Sequence, residues 1–137
     1  MTTLLAARSS DVARLTKELE DMMRRQAADP NDNCFLIVNA GVPFVQFVSG
    51  SADKNVSFEA VANEFLPPER RLDQERIAAL VALGFEPPEE AGVNFLMYRD
   101  LVEDGDFADV AALAMLVLFE IYGAPRDEAL TYERGSG

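Results

Sequence analysis

Histidine is absent from the 137-residue sequence, and cysteine occurs once, at Cys34. The first absence excludes serine and cysteine triads of the usual kind, imidazole metal ligands and a histidine-based pH switch. The second excludes an internal disulfide and a cysteine zinc site. Basic residues are scarce, 12 Lys and Arg against 24 Asp and Glu, which gives a net charge of −12 and a pI near 4.3. A nucleic-acid binder needs clustered cations to displace counterions from phosphates, and a basic membrane-surface protein needs them for anionic lipid, so neither class is expected. No uncharged apolar run approaches the ~18 residues of a membrane span, and MTTLLAARSSDVAR lacks a basic start followed by a long apolar stretch, so neither a span nor a signal peptide is expected. A reduced, cytoplasmic setting is expected. Eight glycines occur without a GxGxxG or GxxxxGK[ST] pattern, which leaves no phosphate cradle.

What is present is apolar material, 49% of residues, enough for the core of one domain over residues 1–137, with its centre at about 10–132. Val12, Leu15, Leu19, Met22 and Gln26 follow one another at spacings of 3, 4, 3 and 4, which predicts an amphipathic helix from Ser10 to Ala28 ended by DPND. CFLIV from Cys34, PFVQFV from Pro43 and VSFEAVA from Val56 read as three strands. Their short connections make them an antiparallel meander, because a parallel return needs a crossover of about a dozen residues.

PPERR is a connector, and Asp73 caps a helix from Gln74 to Leu83, with Gly84 at the left-handed C-terminal position. EPPEEAG cannot continue a regular element, and NFLMYRDL from Asn94 reads as a fourth strand. The last element, DFADVAALAMLVLFEIYG, is expected to start with Asp106 as its cap and to stop at Gly123 and Pro125. Its stripe of Val110, Leu113, Ala114, Val117, Leu118 and Ile121 is joined by apolar residues off the stripe, so it is either central to the core or shared with another chain. The expected fold is α+β in the order α-β-β-β-α-β-α, an antiparallel sheet with helices mainly on one face.

Residues 86 to 109 hold eight carboxylates and one cation, Arg99, or −7 of the total −12. VEDGDFAD departs from the EF-hand spacing and reads as a solvated acidic loop. The neighbouring pairs Glu89 with Glu90 and Glu103 with Asp104 lack a cleft to split their pKa values, so no catalytic pair is expected. Cys34 reads as a small buried hydrophobe. No cofactor, metal site or enzymatic activity is expected.

The strands are apolar on both sides, whereas a half-solvated antiparallel sheet should be polar on one. The excess predicts a second contact surface, either a homodimer interface or a groove or edge that takes a peptide. The methionines Met22, Met23, Met97 and Met115 suit either core filling or an adaptable binding surface.

The segments PFVQF, FEAVANEFLPP, LDQERIAALVALGFEPP and DVAALAMLVLFEIYGAPRDEALTY closely resemble the TY-Chap family, YbjN-like domains grouped with bacterial type III secretion chaperones as peptide binders. The resemblance covers about Ser10 to Tyr132. It implies a type III secretion chaperone-like fold, a tendency to dimerise, and binding of polypeptide clients without catalysis. Gln46, Phe47, Glu59, Asn63, Leu66, Pro67, Gly84, Phe85, Asn94, Tyr122, Gly123 and Tyr132 match its pattern, most of them as determinants of the fold. Phe85 and Phe95 stand where the family often has tryptophan. Asn63 and Gln46, polar among apolar neighbours, are expected to satisfy strand ends or the connector backbone.

The expectation is therefore a chaperone-like domain that binds a protein or peptide client, as a homodimer. Its partner surface is placed on the sheet face away from the helices at Leu36, Val38, Phe44, Val48, Leu96 and Tyr98, with the two faces open to inversion. The alternative is an acidic inhibitor or immunity-type protein that blocks a basic partner surface.

Overall fold

The computed structural model describes residues 2–31, 33–50, 55–101 and 104–136. Five strands, β1 (Cys34–Asn39), β2 (Phe44–Ser49), β3 (Asn55–Ala60), β4 (Phe95–Asp100) and β5 (Thr131–Ser136), form one antiparallel sheet in the order β4-β3-β2-β1-β5. The helices are α1 (Thr2–Ala7), α2 (Ser9–Ala28), α3 (Gln74–Ala82) and α4 (Asp104–Met115), the last continuing as a π-helical stretch over Leu116–Ile121. The α+β class and the β1-β2-β3 meander follow the sequence pattern. Two elements lie outside the expected order, α1 at the start and β5 after the last helix.

The stripe of α2 behaves as its spacing dictates, with Leu15, Leu19, Met22 and Gln26 buried against β1 and β2. Asp73 caps α3, its Oδ1 accepting from Arg76 N at 2.9 Å. At the other end Gly84, at φ +112°, lets its own N–H reach Val81 O at 3.0 Å and Phe85 N–H reach Leu80 O at 3.2 Å. This paired closure satisfies two terminal carbonyls and drops Phe85 into the core beside Phe58, with ring centroids 5.1 Å apart. Phe58 stacks in turn on Phe47 at 4.5 Å.

The apolar circumference of α4 is explained inside the chain. Phe107, Val110, Ala111, Ala114, Met115, Val117, Leu118, Phe119, Ile121 and Tyr122 are all buried, with α2 packed on α4 and α3 on the π-helical stretch that continues it. Of the two alternatives for this helix, a central place in the core is the one observed. Its start differs from the expectation. The helix begins at Asp104, so Asp106 sits in the first turn and not at the cap, where its charge still suits the helix dipole. Of the VEDGDFAD segment, Val102 and Glu103 lie outside the described residues.

Three polar devices pin the layers together. Ser49 Oγ donates to Gln26 Oε1 at 2.6 Å and accepts from Cys34 N at 3.3 Å, which joins the end of α2 to β1 and β2. Asn63 Nδ2 donates to Leu72 O at 3.0 Å and its Oδ1 accepts from Leu72 N at 2.7 Å, so it does satisfy the connector backbone. Tyr122 OH donates to Val61 O at 2.5 Å from the end of the last helix, and desolvation pushes its pKa well above the ordinary tyrosine range.

The edge strand β5 is held more lightly. Its side chains are mostly exposed, and it docks on α2 through Arg134 Nη2 to Glu18 Oε2 at 2.6 Å and through the Arg14 guanidinium 4.2 Å from the Tyr132 ring centroid. Gly135 lets the Phe35 ring lie over the strand, since a Cβ there would stand 2.7 Å from the ring and make it shift.

Candidate partner-binding face

Strand alternation divides the sheet into two surfaces. The helices cover Cys34, Leu36, Val38, Val45, Phe47, Ser49, Val56, Phe58, Ala60, Phe95 and Met97, all of them buried. The opposite, open face is only partly shielded, and the strand register arranges it in rows. One row runs Tyr98, Ser57, Val48, Phe35 and Gly135 from β4 to β5. The next runs Leu96, Glu59, Gln46, Ile37 and Glu133. Phe44, beside Asn39 and Thr131, adds a third.

Of the expected partner residues, Phe44, Val48, Leu96 and Tyr98 lie together on this open face, and Tyr98 is 66% exposed. Leu36 and Val38 do not. Both are 0% exposed beneath the helices, so their placement is corrected. The cause is the parity of the hairpin. Four residues, Ala40 to Pro43, connect β1 and β2, closed by Ala40 N donating to Pro43 O at 3.0 Å, and this length pairs odd positions of β1 with even positions of β2. Phe35 therefore faces Val48 and Ile37 faces Gln46, which makes Phe35 and Ile37 the open-face contribution of β1. The loop length, together with one polar marker in β2, Gln46, is the signal that identifies them.

Beside β4 the face runs into an acidic cleft of about 390 Å³ lined by Glu86, Glu89, Glu90, Val93, Asn94 and Leu96. Glu86 makes an isolated antiparallel bridge with Leu96, the two residues exchanging N–H to O bonds of 2.8 and 3.0 Å. The loop 86–92 is thereby fixed along the outer edge of β4, its glutamates exposed. Two tyrosine hydroxyls are buried away from this face, Tyr122 in the core and Tyr132 under α2. The Tyr132 phenol is pushed up to about 12, mainly by desolvation, with Arg14 opposing the shift and Asp11 and Glu18 adding to it.

Among the described residues no three His, Cys, Asp or Glu side chains stand close enough together to hold a metal ion, and Cys34 is a buried free thiol. No helix among them is long and apolar enough to cross a membrane. What the face offers is a surface of aromatic and branched side chains with carboxylates among and beside them, able to cover apolar groups of another molecule.

The TY-Chap3 family, described as T3SS (YopN, CesT) and YbjN peptide-binding chaperone 3, matches the chain over residues 11–136, and the chain belongs to this family. No curated protein and no solved structure matches it. The α+β fold with its antiparallel sheet fits that membership. Several residues that carry the resemblance are explained by structure alone: Phe47, Asn63, Gly84, Phe85 and Tyr122 build the core and its turns.

Proposed function

We propose that this chain is a non-enzymatic, cytoplasmic chaperone-like domain that holds a segment of a partner polypeptide on the open face of its sheet, centred on Phe35, Phe44, Val48, Leu96 and Tyr98. The observation that carries the reading is the contrast at Tyr98, a large aromatic left 66% exposed in a row that also holds Val48 and Phe35. Exposed apolar surface of this kind marks an interaction site when it is contiguous. Family membership supplies the class of partner, a peptide or protein client.

A homodimer belongs to this reading only through another surface. Pairing two open faces would gather the carboxylates of Glu59, Asp100 and Glu133 and those of the second copy in one interface, and an excess of like charge there costs affinity. The alternative, an acidic inhibitor that blocks a basic surface, draws on the cleft at Glu86, Glu89 and Glu90.

Peptide selection on the immobilised chain separates the two. In the proposed function Tyr98→Asp abolishes capture and the double variant Glu89→Gln with Glu90→Gln retains it. Capture lost only in the double variant would favour the inhibitor.

A further inference from the structure

The charge on the open face is of one sign. Glu59, Asp100 and Glu133 project from it, and among the described residues it carries no Lys or Arg. The three carboxylates are not equivalent. Glu133 is exposed on the outermost strand and its Oε2 accepts from Asn39 Nδ2 at 2.9 Å. Asp100 is exposed at the end of β4. Glu59 stands in the interior of the sheet, directly between Leu96 and Gln46, with Tyr98, Val48 and Phe44 as diagonal neighbours.

Glu59 is half-buried, and its Oε1 accepts from Asn94 Nδ2 at 3.2 Å. Asn94 is itself fixed, because its Oδ1 accepts from Ala62 N at 2.9 Å. A carboxylate offers about four acceptor sites, and Asn94 takes one of them. Among the described residues no cation lies within ion-pair distance of Glu59. A charge held in place among Leu96, Tyr98, Val48 and Phe44 is less screened than the exposed glutamates of the loop 86–92, so a cation brought to it gains more.

We infer that Glu59 is the specificity-determining residue of the open face, selecting a partner segment in which a Lys or Arg is flanked by apolar side chains. The flanking groups cover Leu96, Val48 and Tyr98 while the cation meets the Glu59 carboxylate. This rests on the open face being the partner site, and it narrows that reading by naming the partner's chemistry.

The test is selection of phage-displayed random dodecapeptides on the immobilised full chain, in parallel with Glu59→Gln, Glu59→Lys and Tyr98→Asp. The wild type should enrich apolar peptides containing Lys or Arg, and these should bind Glu59→Gln about five- to tenfold more weakly, the scale of one partly buried charge pair. Glu59→Lys should enrich peptides with Asp or Glu instead.

A second measurement has a wild-type arm that is independent of how the variants fold. Replacing the peptide's own Lys or Arg by Gln or citrulline should cost the same five- to tenfold on the wild type and nothing further on Glu59→Gln. Enrichment of apolar peptides without a basic bias, or equal affinity for the cationic and neutral peptides on the wild type, would overturn the role of Glu59 and leave peptide binding standing. Absence of any enrichment above the Tyr98→Asp background would overturn the partner site itself, and the inference with it.

Discussion

The two faces of the sheet are built from the same strands and similar residues, yet they do different work. On the covered face Phe47 and Phe58 stack at 4.5 Å and are fully buried. On the open face Phe35 of β1 and Phe44 and Val48 of β2 remain half-exposed, and Tyr98 of β4 is more exposed still. Apolar composition alone does not distinguish core from binding surface. What distinguishes them is which face the helices close, and that is decided by register and by where α2 and α4 pack.

The contrast implies an order of effects. Emptying the covered face should cost most: Phe47→Ala removes the ring that contacts Phe58, and by analogy with large-to-small core changes it should destabilise the fold by about 3–5 kcal/mol in chemical denaturation. Next is the polar pin behind that face. Ser49→Ala removes the short bond to Gln26 Oε1 and leaves Cys34 N and Gln26 Oε1 only their own long contact of 3.4 Å in a buried setting, so it should cost about 1–2 kcal/mol, and a smaller loss would mean that this contact tightens or water replaces the hydroxyl.

The cap of α3 lies outside both faces, and Asp73→Ala should cost about 1 kcal/mol by the same assay. The smallest effect at neutral pH is expected at Tyr132, whose hydroxyl is buried without a partner among the described residues. Tyr132→Phe should leave stability unchanged or slightly raised there, because the Arg14 contact is to the ring.

The same variant separates from wild type as pH rises. Burial holds the Tyr132 phenol neutral up to about 12, whereas an unfolded tyrosine ionises near 10. The unfolded chain therefore releases its proton first, so the contribution of this group is fully present below about pH 10 and is lost as pH rises through about 12. Wild type should lose stability more steeply than Tyr132→Phe over that interval, measured by urea denaturation at a series of pH values. Parallel slopes would mean that the phenol is hydrated in the folded state.

Much of this architecture was legible because local signals agreed with the fold: the 3-4 spacing of α2, the cap at Asp73, the turn at Gly84 and the stop at Gly123 each appear where expected. β5 was not, since TYERGS buries little and its pairing with β1 bridges about ninety residues of chain that no local pattern records. The partner face was legible in part. Ser57 and Glu59 mark the polar side of β3 and bring Leu96 and Tyr98 with them. β1 is apolar on both sides, so alternation alone could not orient it, and only the four-residue hairpin connection excludes Leu36 and Val38. In the sequence Glu59 matches the family pattern, but its isolation among apolar side chains on the open face emerges only from cross-strand register.

Whether one face folds the chain and the other binds is decided by measuring thermal unfolding and peptide selection on the same Tyr98→Asp protein. The midpoint should stay within about 2 °C of wild type, because an exposed strand residue changes stability by about 0.5 kcal/mol or less, and peptide enrichment should be lost. A midpoint that falls as far as that of Phe47→Ala, or enrichment that survives the substitution, would contradict this division between the faces.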